Sequence, residues 1–393
     1  MLMNRIARVG VMLCDAALRH VVLRHVTMLC AVLVAAGVGV QTSPAFAQRT
    51  ADRINANTLS VVSGNINGTY LSIAYDLSAV LDDGDNLRIL PVIGKGGGQN
   101  VVDVRYLKGV DLGITQAPLL EQLQRAGGLG DIRDKIVYIA KLFNEEMHLV
   151  VRSDITAIEQ LQGKKVNFSD VGSGTQLSTR NIFNLLGIKA EEVNLGQADA
   201  FEAMKRGELA ATVLIAGKPA GAMSKLKLTD GFRLLPIPYA KSLQQAYLPT
   251  VFSAEDYPGL VEPGQKVESV AVSAVLVAYN WPKDTDRYQR IARFINAFFP
   301  RVQAGDFSKA PRHPKWREIN LTAVVPGWTR FPAAEEWVVK ARTQTAAGPG
   351  RESFQKFLDA RQKAGGASAA LSEAERARLF EEFEKWSQSR AAR

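Results

Sequence analysis

The sequence predicts an α/β protein of two lobes with a helical tail. Three observations predict it. Apolar runs of strand length alternate with helical periodicities from Thr58 onward. The alternation forms two successive sets, the first ending with Met147 to Arg152 and the second opening at Lys165. The composition then changes over the last fifty or so residues, where Gly-rich breaks separate polar helical stretches.

In the first set, Thr58 to Ser63 reads as a strand and Thr69 to Leu81 as a helix, with Leu71, Ala74, Leu77 and Leu81 on one face. Residues 87–93 read as a strand, 100–108 as a helix and 110–114 as a strand. Ile136 to Leu142 and Met147 to Arg152 read as two further strands. In the second set, residues 165–168 form a strand, 175–186 and 198–206 helices, and 211–215 a strand. A Pro-rich stretch leads to a long β-rich run over 267–279 and a helix over 286–299. In the tail, Ser372 and Glu375 make a capping box ahead of the stripe Leu379, Phe380, Phe383 and Trp386. The stripe reads first as a helix packed on the body, and otherwise as a docking surface.

The N-terminus bears on location. Arg5, Arg8, Arg19 and Arg24 precede an uncharged apolar run from Met28 to Val40, then Ala45-Phe46-Ala47 with small residues at −1 and −3 of a cut after Ala47. That layout is a secretory signal peptide, 1–47, and the expected location is the periplasm. The apolar run is shorter than the roughly 20 residues a membrane span needs, so no stable insertion is expected after cleavage. Both cysteines, Cys14 and Cys30, precede the cut, which excludes disulfides and thiolate chemistry from the mature chain. Of the net +9, the leader's four Arg against Asp15 account for +3 and leave +6. These charges are scattered, which argues against nucleic acid, and a modest positive field favours anions.

Four turns carry the candidate chemistry. The first, Ser63-Gly64-Asn65-Ile66-Asn67-Gly68-Thr69-Tyr70, could offer the free N–H groups of a helix start to a ligand, although alone it reads as an ordinary β–α turn. The second, Gly94-Lys95-Gly96-Gly97-Gly98-Gln99-Asn100, holds three consecutive glycines. Their entropic cost favours a ligand loop over a linker. It fits neither a P-loop nor a dinucleotide fingerprint. The third, Val171-Gly172-Ser173-Gly174-Thr175, places hydroxyls and N–H groups at a helix start, an anion site without a full positive charge. Ser173 lacks the flanking glycines of a nucleophile elbow. The fourth, Ala216-Gly217-Lys218-Pro219, presents Lys218 either to a ligand or to solvent. No catalytic residue, cofactor or metal site is expected. Glu145, Glu146 and His148 lie close in sequence, but their spacing is only a weak metal pattern. Four such turns at strand ends suggest a cleft at the carboxyl ends of two sheets.

From about Leu59 to Trp337 the sequence resembles the TAXI-type solute-binding subunits of tripartite ATP-independent periplasmic (TRAP) transporters. The resemblance rests on Gly64 with Gly68-Thr69-Tyr70, on Gly97-Gly98-Gln99-Asn100, and on Asp111-Leu112-Gly113-Ile114-Thr115-Gln116. It continues through Leu161-Gln162-Gly163-Lys164-Lys165-Val166, Gly172-Ser173-Gly174-Thr175, Ala216-Gly217 with Pro219, and Tyr257-Pro258-Gly259. It implies a type II periplasmic-binding-protein fold, two α/β lobes joined by a hinge that the chain crosses twice. The implied division is lobe I over 48–144, lobe II over 145–275, a return to lobe I over 276–342 and a helical C-terminal extension over 343–393. It also implies a small anionic solute, an amino acid such as glutamate or a dicarboxylate, delivered to TRAP-type permease subunits. Ligand contacts would come from Thr69, Tyr70, Gly98, Gln99, Asn100, Gln116, Ser173, Gly174, Thr175 and Gly217. The turns themselves add Asn67, Gly97, Gly172 and Lys218. The chain departs from the family at Gly96-Gly97-Gly98-Gln99 and at Gln116-Ala117-Pro118, both near the expected ligand. Two other readings stay open: an oxyanion or phosphate-type binder of an ATP-driven importer, and a ligand-presenting input to a membrane kinase.

Overall fold

Two long strands organise the molecule. The computed structural model describes residues 44–347 except 67 and 85, together with 379. β1 (Thr58–Val62), β2 (Arg88–Val92) and β3 (Leu112–Gln116) run parallel, in the order β2-β1-β3. β4 (Ile136–Arg152) follows as one strand of 17 residues. β5 (Lys165–Asn167), β6 (Glu191–Val193) and β7 (Ala211–Ala216) form a second parallel group, in the order β7-β5-β6. β8 (Phe232–Leu234) pairs with β4, and β9 (Leu248–Ser253) with β10 (Lys266–Tyr279). β4 and β10 lie antiparallel at the centre and join the two groups into one mixed ten-stranded sheet. The expected α/β class is the class observed.

Helices cover both groups. Besides α1 (Pro44–Asn57), they are α2 (Thr69–Leu81), α3 (Gly97–Tyr106), α4 (Ala117–Ala126), α5 (Gly174–Leu186), α6 (Gln197–Lys205), α7 (Asp286–Gln303) and α8 (Pro332–Ala347). α2 forms where its apolar residues recur at helical spacing; Ala74, Leu77 and Leu81 are buried as expected, but Ile73 is buried in place of Leu71, which is half-buried. α7 is capped by Thr285, whose Oγ1 accepts the Tyr288 N–H at 3.2 Å. It buries Ile291, Phe294, Ile295, Phe298 and Phe299 along one face.

The apolar core is interrupted at the centre of the sheet. Leu59, Ile73, Ile139, Phe143, Ala274, Leu276, Phe298 and Trp316 pack on one face of the first half, and Val62, Val101, Ile136, Val275 and Val277 on the other. In the second half the layers begin at Met147 and end at Val272, around Val166, Ile182 and Val213 on one face and Met204, Leu214 and Phe252 on the other. Asn144, Glu145, Glu146 and Ser273 lie between them, paired across β4 and β10. A polar band therefore separates two apolar bodies where, among the described residues, β4 and β10 connect them.

Several expectations change. The two strands expected at 136–142 and 147–152 are one. The Asn-Glu-Glu interruption does not break it, because both carboxyls find partners inside the fold. The helix expected from Asn100 starts at Gly97, so two of the three glycines form its first turn. The strand expected over 110–114 is shifted to Leu112–Gln116, which puts Gln116 at its end. α4, α8 and the short strands β6, β8 and β9 were not apparent from periodicity. The segment around 313–332 braces the first half. Trp316 Nε1 and His313 N donate to Asp76 Oδ2, each at 2.9 Å, and Phe331 N donates to Tyr138 O at 2.8 Å. The leader through residue 43 and the tail's capping box and stripe, apart from Leu379, fall outside the described residues.

Candidate functional site

The carboxyl ends of β1, β2, β3, β5 and β7 point to one place, where an α/β sheet places ligands. A cavity of about 30 Å³ lies there. Its walls are Gly64, Asn65, Gly68, Thr69, Tyr70, Lys95, Gly96, Gly97, Gln116 and Glu145 from the first half and the crossing, and Ser173, Gly174, Thr175, Leu214 and Ile215 from the second half. The first, second and third turns therefore meet.

The two halves touch directly around it. Thr69 Oγ1 donates to Gly217 O at 3.0 Å, and Gln99 N donates to Gly172 O at 3.3 Å. Asn65 Nδ2 donates to Asp170 Oδ2 at 2.9 Å. Gly97, at φ 53°, lies against the start of α5, and a Cβ there would be 2.2 Å from Gly174 N. Its glycine thus serves both a left-handed backbone and the close approach of two chains.

The expected site residues among the described ones have definite places. Ser173 caps α5, its Oγ accepting the Gln176 N–H at 3.1 Å, and it lines the cavity. Thr175 Oγ1 accepts the Ile215 N–H at 3.0 Å, joining α5 to the end of β7. Gly172, at φ 83°, donates its N–H to Gln176 Oε1 at 2.7 Å and does not line the cavity. Gly98 packs against Leu177. Gln99 Nε2 turns to Asp103 Oδ1 at 2.9 Å. Asn100 is wholly buried, and its Nδ2 donates to the carbonyls of Val62, Ser63 and Ile114, so it fastens three chain segments together. Gly217 packs on Lys315 and Phe143. Lys218 Nζ turns outward to Val251 O at 2.7 Å and Asp256 Oδ2 at 2.9 Å. Asn67 falls outside the described residues.

The central polar group is Glu145, which the turn-based reading missed. It is 2% exposed and sits on β4 in the polar band. Its Oε2 accepts the Tyr70 hydroxyl at 2.5 Å and Gln116 Nε2 at 3.1 Å. Gln116 Oε1 in turn accepts the Ser178 hydroxyl, so the network ends on α5. Burial pushes the Glu145 carboxyl up to about 8, against the lowering by its Tyr70 and Gln116 hydrogen bonds, with the neighbouring Glu146 adding to the rise. The Tyr70 hydroxyl is raised well above its usual range by burial and by Glu145. The sequence signal was two acids inside an otherwise apolar run of strand composition.

Glu146 and His148 face away from this network. Glu146 accepts Lys315 Nζ at 2.6 Å on Oε1 and the Lys218 N–H at 2.8 Å on Oε2. Burial raises its carboxyl, and the Lys315 ammonium opposes the rise. His148 Nδ1 lies 3.1 Å from Leu214 O and Nε2 2.6 Å from Tyr257 OH. The carbonyl requires the proton on Nδ1, so Nε2 accepts the tyrosine hydroxyl. Burial lowers this imidazole to about 4 and keeps it neutral. Among the described residues no group of three or more His, Cys, Asp or Glu side chains could hold a metal ion. Nor is any helix among them long and apolar enough to cross a membrane.

The pattern of the NMT1-like family matches residues 61–295. Among solved structures, the chain is similar to the periplasmic aliphatic sulphonate binding protein SsuA from Escherichia coli, with 17% identity, 66% of this chain and 76% of that chain covered, and a TM-score of 0.40. It is similar to a periplasmic transporter at 14% identity, covering 73% and 93%, with a TM-score of 0.43. It is also similar to the alkanesulfonate-binding protein SsuA from Xanthomonas axonopodis pv. citri bound to MOPS, at 16% identity, 72% and 83%, and 0.37.

Proposed function

Because the chain belongs to the NMT1-like family, we propose that it is a solute-binding receptor that holds a small anionic metabolite between the two halves of its sheet. The solute would be an amino acid such as glutamate, or a dicarboxylate. The receptor would be exported by its leader to the periplasm and would deliver the solute to TRAP-type permease subunits, as a TAXI-type binding subunit does. The observation that carries this reading is the cavity at the strand ends, walled by both halves. One side is the start of α5, where the N–H groups of a helix's first turn suit a carboxylate.

The connection between the halves supports a hinge. Among the described strands only β4 and β10 cross, and they cross in the polar band, where no apolar layer must be torn open. A cavity of about 30 Å³ has room for about one water, so the halves must part to admit a solute. A receptor is favoured over an enzyme by how the candidate groups are engaged. Ser173 caps a helix, and His148 is held neutral between Leu214 and Tyr257.

Differential scanning fluorimetry against amino acids, dicarboxylates and inorganic oxyanions tests the reading. A ligand bound only by the folded chain raises the melting temperature. Small-angle scattering with the stabilising compound should show a smaller radius of gyration. An unchanged radius at saturation would exclude closure on the solute.

A further inference from the structure

We propose that Glu145 selects the solute by pairing with a positively charged nitrogen, so that the site takes an amine-bearing acid in preference to a plain anion, and that binding releases one proton. The proposal rests on the receptor reading and narrows its ligand class.

The geometry supplies two unlike poles. On one side, Gly174 and Thr175 open α5 and suit a carboxylate. On the other, the Glu145 carboxyl lines the same cavity and meets only neutral donors, the Tyr70 hydroxyl and the Gln116 amide. Among the described residues no cation forms an ion pair with it; Lys315, whose charge also acts on it, is taken by Glu146 and Glu318. A buried carboxyl without a counter-charge is unfavourable unless it is protonated or its counter-charge arrives with the ligand. A plain dicarboxylate brings no cation to this wall; it leaves the Glu145 acid protonated and gains no ion pair there. An amino acid brings a carboxylate for the helix start and an ammonium for Glu145.

The proton balance follows. Burial keeps the carboxyl protonated near neutral pH in this arrangement. The groups facing it are Tyr70 from α2, Gln116 from β3, Glu146 beside it on β4, and Lys315 beyond Glu146, while Lys95 also lines the cavity. From β10 its pairing partner is Val272, which does not titrate. When an ammonium docks, the carboxylic acid becomes a carboxylate paired to it, and the displaced proton leaves to solvent.

Isothermal titration calorimetry on the purified chain tests this with matched pairs: L-glutamate with glutarate, L-aspartate with succinate, and sulfate as a tetrahedral anion. Titrations at pH 7 in two buffers of different ionisation heat count protons. The expected result is an amino acid bound at least tenfold more tightly than its partner, with close to one proton released. Glu145→Gln, which mimics the protonated carboxyl and so keeps the fold, should release none and lose roughly tenfold to a hundredfold for the amino acid. Its affinity for the amine-free partner should change less than threefold. Glu145→Asp, which keeps an ionisable carboxyl, should retain preference for the amine. Equal binding of an amino acid and its amine-free partner, or an unchanged amino-acid affinity in Glu145→Gln, would overturn the proposal. Binding of sulfate or a plain dicarboxylate alone would overturn it and leave the receptor reading standing. Binding of no probe would overturn both for small acids.

Discussion

The Ser178 hydroxyl donates to Gln116 Oε1 at 2.6 Å, joining α5 of one half of the sheet to the end of β3 in the other. Gln116 also donates to Glu145, so one side chain spans from the second half to the crossing strand. The site is therefore not four separate turns but a network whose centre lies on the connection between the halves. That placement makes the stability of the closed arrangement sensitive to pH.

Glu145→Gln should change how stability varies with pH. The folded chain holds a proton on Glu145 up to about pH 8, and the unfolded chain releases it near 4.5. The group's favourable contribution is full below pH 4.5 and is lost as pH rises through 8. Glutamine has no such loss. Chemical denaturation at several pH values should show the variant gaining on the parent from pH 4.5 to 8, by a few kcal/mol at about 1.4 kcal/mol for each unit of difference, then holding constant. Parallel stability curves would show that the carboxyl titrates normally.

Gly97→Ala should hold the halves apart. A Cβ there meets the backbone of Gly174 at 2.2 Å, and backbone cannot step aside as a flexible side chain does. Opening relieves the clash and leaves only the strain of a left-handed alanine, about 1–2 kcal/mol. The variant should fold and, at saturating solute, keep a larger radius of gyration by small-angle scattering than the parent, which contracts.

Helix Thr69–Leu81 was legible to the residue, because its apolar spacing is regular and its neighbours are turn formers. The β–α turns were legible too, and three of the four line the cavity. Glu145 was not, because an acid pair inside an apolar run reads as a break until burial and hydrogen-bond partners are known. Asn100 shows the converse. Its position in a glycine turn reads as ligand binding, yet its amide is used up on three carbonyls. Strands β6, β8 and β9 are too short, or too exposed, to show a period of two.

Ser173→Ala and Thr175→Val should separate the two duties of the α5 turn. Loss of the Ser173 cap costs about 1 kcal/mol of stability. Thr175→Val leaves the buried Ile215 N–H without its acceptor and costs about 1–3 kcal/mol. Ser173 keeps its hydroxyl proton free to donate into the cavity, so its loss should also weaken an anionic ligand roughly tenfold to a hundredfold. Melting curves and calorimetry on both variants check this. Lower melting with unchanged binding would make the turn a helix cap and nothing more.

Lys315→Met should be costly out of proportion to its place in a short 3-10 helix, Pro314–Glu318. Lys315 is 2% exposed and holds Glu146 at 2.6 Å, so its removal strands a buried carboxyl. The expected loss is about 3–5 kcal/mol, and adding Glu146→Gln should recover much of it. Denaturant midpoints for the single and double variants measure both. Equal midpoints for the two would mean that the pair is not coupled.

The polar band between the halves is crossed by two strands that are hydrogen-bonded to each other, Phe143–Glu146 against Ala271–Ala274. A single tether would let the halves swivel freely. A paired ladder resists swivelling and sliding, because either would break its rungs, and it yields mainly by bending across the strands. The gap at the mouth is then close to a single coordinate, and solutes of different bulk would set it to different widths along one path. Ile66 and Val171, both exposed on loops of opposite halves beside the mouth, are suited to spin labels. The distance between them would serve as a ruler for what the proposed receptor is holding.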